Sequence, residues 1–373
     1  MRITFGDLKI GDTTRKYVQA ALEANWISEG ANVRELEQKF ADKFGYKHAV
    51  ATSSGTDADT VACASLYDFG AGRGDEIIVP ASTFVASANS ILAAGFIPRF
   101  VDIEVETLNI DPNKIEAAIT DRTCAIMVVH LMGKPCDMDS ILEIAGVHNL
   151  KVIEDSCEAH GATYKGKVVG SIGDMGTFSL YAAHVVVAGE GGMLVTDNDE
   201  IASVARSVKS HGRPFDSIYF DFQRIGFNSR MNELTAAVGL EGLEHFDYTF
   251  NKRKDNLYKL LELTQDLSDY FHFLKEEEFE KVSPHAFPLV LKDKKFDCAG
   301  LYSYLESKEI QCKTLFGSLP TQHKVFKFLG YKYGQFPAAE YVGENGLHFG
   351  IHQYLTDDDL LYIGDTLKGY FKQ

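Results

Sequence analysis

Lys151-Val152-Ile153-Glu154-Asp155-Ser156-Cys157-Glu158-Ala159-His160-Gly161 is the stretch on which the fold class turns. A short apolar run stops at two carboxylates and gives way to small and polar residues, the signature of a buried strand ended by a turn. Similar runs occur at 48–52, 76–79, 97–101, 124–131, 176–181 and 193–196, with helical patterns between them. Buried strands alternating with helices predict an α/β domain, a mostly parallel sheet covered by helices on both faces. In such sheets ligands collect at the carboxyl ends of the strands, so Asp155 stands at a binding edge.

Working outward, Thr13 to Ala24 and Val33 to Phe44 read as amphipathic helices before the first strand. Met231 to Phe246 and Lys252 to Leu263 read as a long helical exit from the sheet region. Segments 284–291, 296–308 and 309–315 then read as strand, helix and strand, a smaller α+β domain. The expected division is a large domain at 1–245 and a small one at 246–373, closely packed because no long linker intervenes.

Composition narrows the function. A chain of 373 residues is long enough for a large core and a second lobe. Its net charge of −16 argues against nucleic-acid or anionic-membrane surfaces. Neither a signal-peptide core near Met1 nor an apolar run of ~18 residues is present, so the expected location is cytoplasmic. Cys63, Cys124, Cys136, Cys157, Cys298 and Cys312 form no Cys-x-x-Cys pair. Buried free thiols are expected, and no metal or iron–sulfur site.

Several motifs carry chemistry, each with an ordinary alternative. Ser53-Ser54-Gly55-Thr56-Asp57-Ala58 follows a strand and opens a helix. It reads either as a phosphate cradle or as a simple cap. Gly70-Ala71-Gly72-Arg73-Gly74 precedes a strand and reads as a turn. Phe84, just past a strand, is suited to stacking on a planar ring or to core packing. Asp155 suits a pyridinium partner or a helix cap. Asn228 and Arg230, ahead of the long helix, suit an anion or surface capping. His348 and His352 are four apart, but the intervening Phe-Gly-Ile reads as strand or loop, which disfavours a metal pair.

Thr177-Phe178-Ser179-Leu180-Tyr181-Ala182-Ala183-His184, followed by Glu190-Gly191-Gly192, resembles the cofactor-attachment segment of a pyridoxal-phosphate enzyme, with His184 in place of the Schiff-base lysine. Together and in this order, the motifs resemble the DegT/DnrJ/EryC1/StrS family of sugar aminotransferases, from Trp26-Ile27-Ser28-Glu29-Gly30 to about Asp359. That resemblance implies a fold-type-I, aspartate-aminotransferase-like architecture, a homodimer with shared active sites, and pyridoxal 5′-phosphate alternating with pyridoxamine 5′-phosphate. It further implies Gly55, Thr56, Ser179 and a second subunit's Asn228 at the phosphate, Phe84 on the ring, Asp155 at its nitrogen and Glu158 at its other polar edge. Arg230 and His352 fall on the substrate side.

Histidine at the lysine position resembles the branch of the family that removes the C3 oxygen of a GDP-linked 4-keto-6-deoxy sugar, with L-glutamate as amino donor. Its product is a deoxysugar precursor of lipopolysaccharide O-antigen. Segments Asn345-Gly346-Leu347 and Gly350-Ile351-His352-Gln353 share this likeness, whereas Lys313 to Thr321 departs from it. An imidazole near pKa ~6.5 is expected to serve His184 as base and then acid. The alternatives are an aminotransferase whose lysine His184 replaces, and a non-catalytic cofactor-binding relative.

Overall fold

Alternation within the apolar runs explains why they become buried strands. Ile77 and Val79, Ala125 and Met127, and Ile153 belong to one hydrophobic core, while Ile78, Ile126, Val128 and Val152 belong to another. Successive side chains of a strand point to opposite faces, so both faces of this sheet are apolar and both are covered. A computed structural model describes residues 1–6, 8–214, 218–219, 221–292 and 295–372.

The strands of the first domain are β1 (His48–Thr52), β2 (Glu76–Pro80), β3 (Ile97–Val101), β4 (Thr123–Val129), β5 (Lys151–Asp155), β6 (Thr163–Tyr164), β7 (Lys167–Val168), β8 (Met175–Ser179) and β9 (Gly192–Thr196). Seven of them form one sheet in the order β1-β9-β8-β5-β4-β2-β3. The pairings from β3 through to β8 are parallel. Strand β9 is antiparallel to both β8 and β1, so β1 points the same way as the rest. The carboxyl ends of β1, β2, β4, β5 and β8 therefore open onto one edge.

Helices α1 (Asp12–Glu23), α2 (Ala31–Phe44), α3 (Gly55–Ser65), α4 (Val85–Ala93), α5 (Met138–His148), α6 (Asp199–Val208) and α7 (Glu233–Glu244) surround the sheet, and α8 (Phe246–Leu263) leads out of it. Three small Gly features make the tight passages. Gly191 has φ 138°, and a Cβ on Gly192 would lie 2.1 Å from the Ser54 carbonyl oxygen. Only glycine lets β9 pass that close to the end of β1. Gly70, with φ 94°, turns the chain out of its short helix as expected.

The C-terminal region forms a four-stranded antiparallel sheet. Its order is Phe271–Phe273, Ala286–Leu291, Gly346–Gly350, Cys312–Thr314. Its core joins Leu257 and Leu260 of α8 to Phe287, Leu301, Phe349 and Ile363. Helix α7 breaks at His245. Ile3 nevertheless sits in the C-terminal core and bridges Ile310, and Arg2 pairs with Asp359. The first residues thus cross to the small domain, a long-range contact too short to carry a periodic signal. Among the described residues no helix is long and apolar enough to cross a membrane.

Candidate active site

Strand ends build the floor of a cavity of about 420 Å³. Gly55 and Thr56 follow β1, Phe84 follows β2, Asp155 ends β5, Glu158 lies in the turn after it and Ser179 ends β8; all line this cavity with His184. A Cβ on Gly55 would lie 2.7 Å from Ser179 Cβ and 3.1 Å from Cys157 Sγ, so the start of α3 presses onto the end of β8. Ser54 Oγ accepts the Asp57 N–H at 3.0 Å, an ordinary cap, while Thr56 in the same first turn is exposed. The cap is made, and Gly55 and Thr56 of the same turn still line the cavity. Phe84 is 55% exposed and meets Phe316 edge-on at 5.6 Å.

Asp155 is fixed by two donors. The Ser87 hydroxyl donates to Oδ2 at 2.7 Å and the Cys157 N–H to Oδ1 at 3.1 Å. Beside it Asp59 accepts the Thr177 hydroxyl at 2.6 Å, and its Oδ2 is buried without a partner. Burial first, then the Asp155 charge, push the Asp59 carboxyl well above its ordinary range. Ligand atoms of Asp59, Asp155 and Cys157 lie within 4.8 Å of one another. Burial, followed by Asp155, also pushes the Cys157 thiol well up, which keeps it neutral. Glu154, the other carboxylate of the motif, faces the opposite side of β5. It accepts N–H groups from Gly170, Ile172 and Gly173 and lies 3.0 Å from His130 Nε2, a structural role.

Glu158 Oε2 accepts the Met132 N–H at 2.7 Å. Burial raises its carboxyl to about 7, against the pull of that N–H and with a further push from Asp155. His184 sits in the turn between β8 and β9, its N–H donating to the Tyr181 carbonyl at 3.0 Å. Arg253 of α8, itself buried, donates from Nη1 to the Ala183 carbonyl at 3.1 Å and from Nε to Gln353 at 3.0 Å, tying the small domain to this turn. Burial, followed by the Arg253 charge, pushes the His184 imidazole down to about 3. The expectation of an imidazole near its ordinary pKa is therefore corrected: His184 rests neutral.

The small-domain wall was not legible in the sequence. His285, Lys313, Phe316 and His348 line the cavity from separate segments, and Lys313 is the one lysine or arginine among the described lining residues. Lys313 pairs in register with His348 across two strands. His352 itself is not brought to the cavity. Its ring nitrogens face Thr4 Oγ1 at 3.3 Å and the Tyr354 N–H at 3.3 Å. Asn228 and Arg230 are exposed outside the cavity, with Arg230 Nη2 donating to Asn228 Oδ1 at 2.9 Å.

The fold and the floor together define the fold-type-I, aspartate-aminotransferase-like class of α/β proteins. Within that class, the chain belongs to the DegT/DnrJ/EryC1/StrS aminotransferase family, which it matches over residues 8–368. It is 46% identical to the GDP-perosamine synthase of Caulobacter vibrioides over 66% of either chain, just under two thirds. It is 32% identical to the GDP-4-keto-6-deoxy-D-mannose 3-dehydratase of Escherichia coli O55:H7 over 96% of this chain and 97% of that one. Among solved structures, a GDP-4-keto-6-deoxymannose-3-dehydratase with a trapped PLP-glutamate geminal diamine superposes with a TM-score of 0.89 at 30% identity, covering 98% of this chain and 100% of the other.

Proposed function

We propose that this chain is a pyridoxal-phosphate-dependent nucleotide-sugar 3-dehydratase. Its substrate is a 4-keto-6-deoxy sugar, GDP-linked by preference, and L-glutamate is its amino donor. The observation that carries the reading is His184, which lines the cavity in the attachment turn with its imidazole held neutral. The residues fit the cofactor: a close-packed helix start at Gly55, a carboxylate at Asp155 fixed by Ser87 and the Cys157 N–H, and an aromatic face at Phe84.

When bound, the cofactor supplies an electron sink and a transferable amine. Asp155 holds the ring nitrogen and its proton by a charge-assisted hydrogen bond, with Ser87 fixing the carboxylate. Gly55, Thr56 and Ser179 receive the phosphate, with Asn228 supplied by a second copy of the chain in a homodimer. Phe84 stacks on the ring, and Glu158 meets its other polar edge. Arg230 belongs to the substrate side in this reading, and Lys313 offers the cavity's positive charge to an anionic substrate group. His184, starting neutral, takes up a proton and returns it to the hydroxyl that departs from C3. It has no ε-amine with which to displace the product, so nitrogen leaves as ammonia rather than staying on the sugar.

A second reading, a sugar aminotransferase in which His184 replaces the lysine, is favoured by the 46% identity to a GDP-perosamine synthase. The product separates them. Incubation with pyridoxal phosphate, glutamate and GDP-4-keto-6-deoxymannose should give, by mass spectrometry, a nucleotide sugar lacking the C3 oxygen. A stable 4-amino sugar would establish the second reading instead.

A further inference from the structure

Residues 2–6 form a strap that reaches the cavity along the small domain. Ile3 bridges Ile310; its N–H donates to the Glu309 carbonyl at 2.9 Å, and its carbonyl accepts the Gln311 N–H at 2.9 Å. The Phe5 N–H donates to Gln311 Oε1 at 2.8 Å, and a Cβ on Gly350 would collide with the Phe5 carbonyl oxygen. On its other side the strap presses on the attachment turn, where a Cβ on Gly6 would lie 3.1 Å from Ala183 Cα. Held between a small-domain strand and the His184 turn, Phe5 becomes part of the cavity wall.

In that wall Phe5 touches two neighbours. Its ring meets His348 edge-on at 5.1 Å, and Lys313 Nζ lies 4.6 Å from its centroid. An ammonium over an aromatic face is attracted by the ring's quadrupole, and the contact restricts a long, flexible side chain to one region of space. No carboxylate among the described residues pairs with Lys313. A lysine that faces a cavity, held by a ring and not by a counter-charge, keeps its charge free for an incoming anion.

We propose that the strap is a specificity element, in which Phe5 is a positioning residue that holds the Lys313 ammonium over the cavity to receive an anionic oxygen group of a reactant. That group is a phosphate of the nucleotide or a carboxylate of the amino donor. The inference rests on the nucleotide-sugar reading for the identity of these anions. Lys313 makes the contact, and Phe5 acts through it. The cofactor's own phosphate has its place at the start of α3 in that reading, across the cavity, which leaves the wall's cation to the reactants.

The test uses full-length protein loaded with pyridoxal phosphate, with kcat and KM measured for L-glutamate and for GDP-4-keto-6-deoxymannose. Lys313→Met should raise at least one KM by about 10–100-fold, as for a lost hydrogen bond to a charged group. Phe5→Met, or Phe5→Leu should the first variant misfold, should raise the same KM by about 3–10-fold with kcat within about twofold. Phe5→Tyr keeps the ring and should behave as wild type. The double variant Phe5→Met/Lys313→Met should match Lys313→Met alone, because the ring acts only through the lysine. A rise confined to the sugar nucleotide identifies a phosphate, and one confined to glutamate a carboxylate; either supports the strap. Unchanged KM values in Lys313→Met overturn the site, and additive effects, or a Phe5→Tyr as impaired as Phe5→Met, overturn the positioning role. If wild type turns nothing over, calorimetric dissociation constants for GDP and L-glutamate make the same comparison. An amino-sugar product with the predicted KM pattern upholds the strap and sinks the dehydratase reading.

Discussion

Two sides of one cavity are built by different means. On the large-domain floor, Gly55, Thr56, Phe84, Asp155 and Ser179 each lie at or just beyond the carboxyl end of a strand. On the small-domain wall, His285, Lys313, Phe316 and His348 come from segments that meet only when the antiparallel sheet assembles. The floor is local: strand, turn and helix start determine where each side chain points. The wall is relational, since Lys313 gains its place by register with His348. We attribute cofactor binding to the floor and choice of substrate to the wall, with His184 at the seam. Arg253 secures that seam through the Ala183 carbonyl.

Breaking the seam should have the largest effect. His184→Asn should lower turnover by about 10²–10⁴-fold while cofactor binding, followed by absorbance titration, survives. Full activity in that variant would remove His184 from the chemistry. On the floor, Asp155→Asn replaces a charge-assisted bond with a neutral one. Such bonds contribute about 1.5–3 kcal/mol, so pyridoxal-phosphate affinity should weaken by roughly 10–100-fold; unaltered affinity would place the ring nitrogen elsewhere.

The wall is distinguished by its response to acid. The buried His348 imidazole is pushed down to about 3, by burial first and then by Lys313. Its folded pKa lies below the unfolded value of ~6.5, so the unfolded chain takes up a proton that the native state refuses, and stability is lost as pH falls below ~6.5. His348→Phe should recover about 2 kcal/mol relative to wild type between pH 7.5 and pH 5, measured by urea unfolding. An identical pH dependence in both proteins would contradict this burial. The smallest effect is expected at the floor's rim: Phe84→Ala removes an aromatic stacking face and should weaken cofactor binding by about 2–10-fold.

The legibility of the sequence follows the same division. The seven sheet strands were readable because their apolar runs are short, doubly buried and bounded by turns; β4 and β8 differ most, each ending two residues early, at Val129 and Ser179. Asp155 was readable because it ends such a run. Glu154, adjacent and equally acidic, differs only in facing, and its three backbone donors come from a loop fifteen or more residues later. Arg253 reads as a surface charge in a polar helical run but is buried against the His184 turn, and this contact is part of what moves the imidazole away from its ordinary pKa. His285 lies just before a strand in a stretch with no motif. Only the meeting of both domains gives it neighbours.

The central claim, that His184 diverts a sugar-aminotransferase scaffold to dehydration, is tested most directly by the fate of nitrogen. With ¹⁵N-glutamate, pyridoxal phosphate and GDP-4-keto-6-deoxymannose, the account predicts that the label appears as free ammonia in step with 2-oxoglutarate, and that the nucleotide sugar carries none. Label retained in a 4-amino sugar would contradict it.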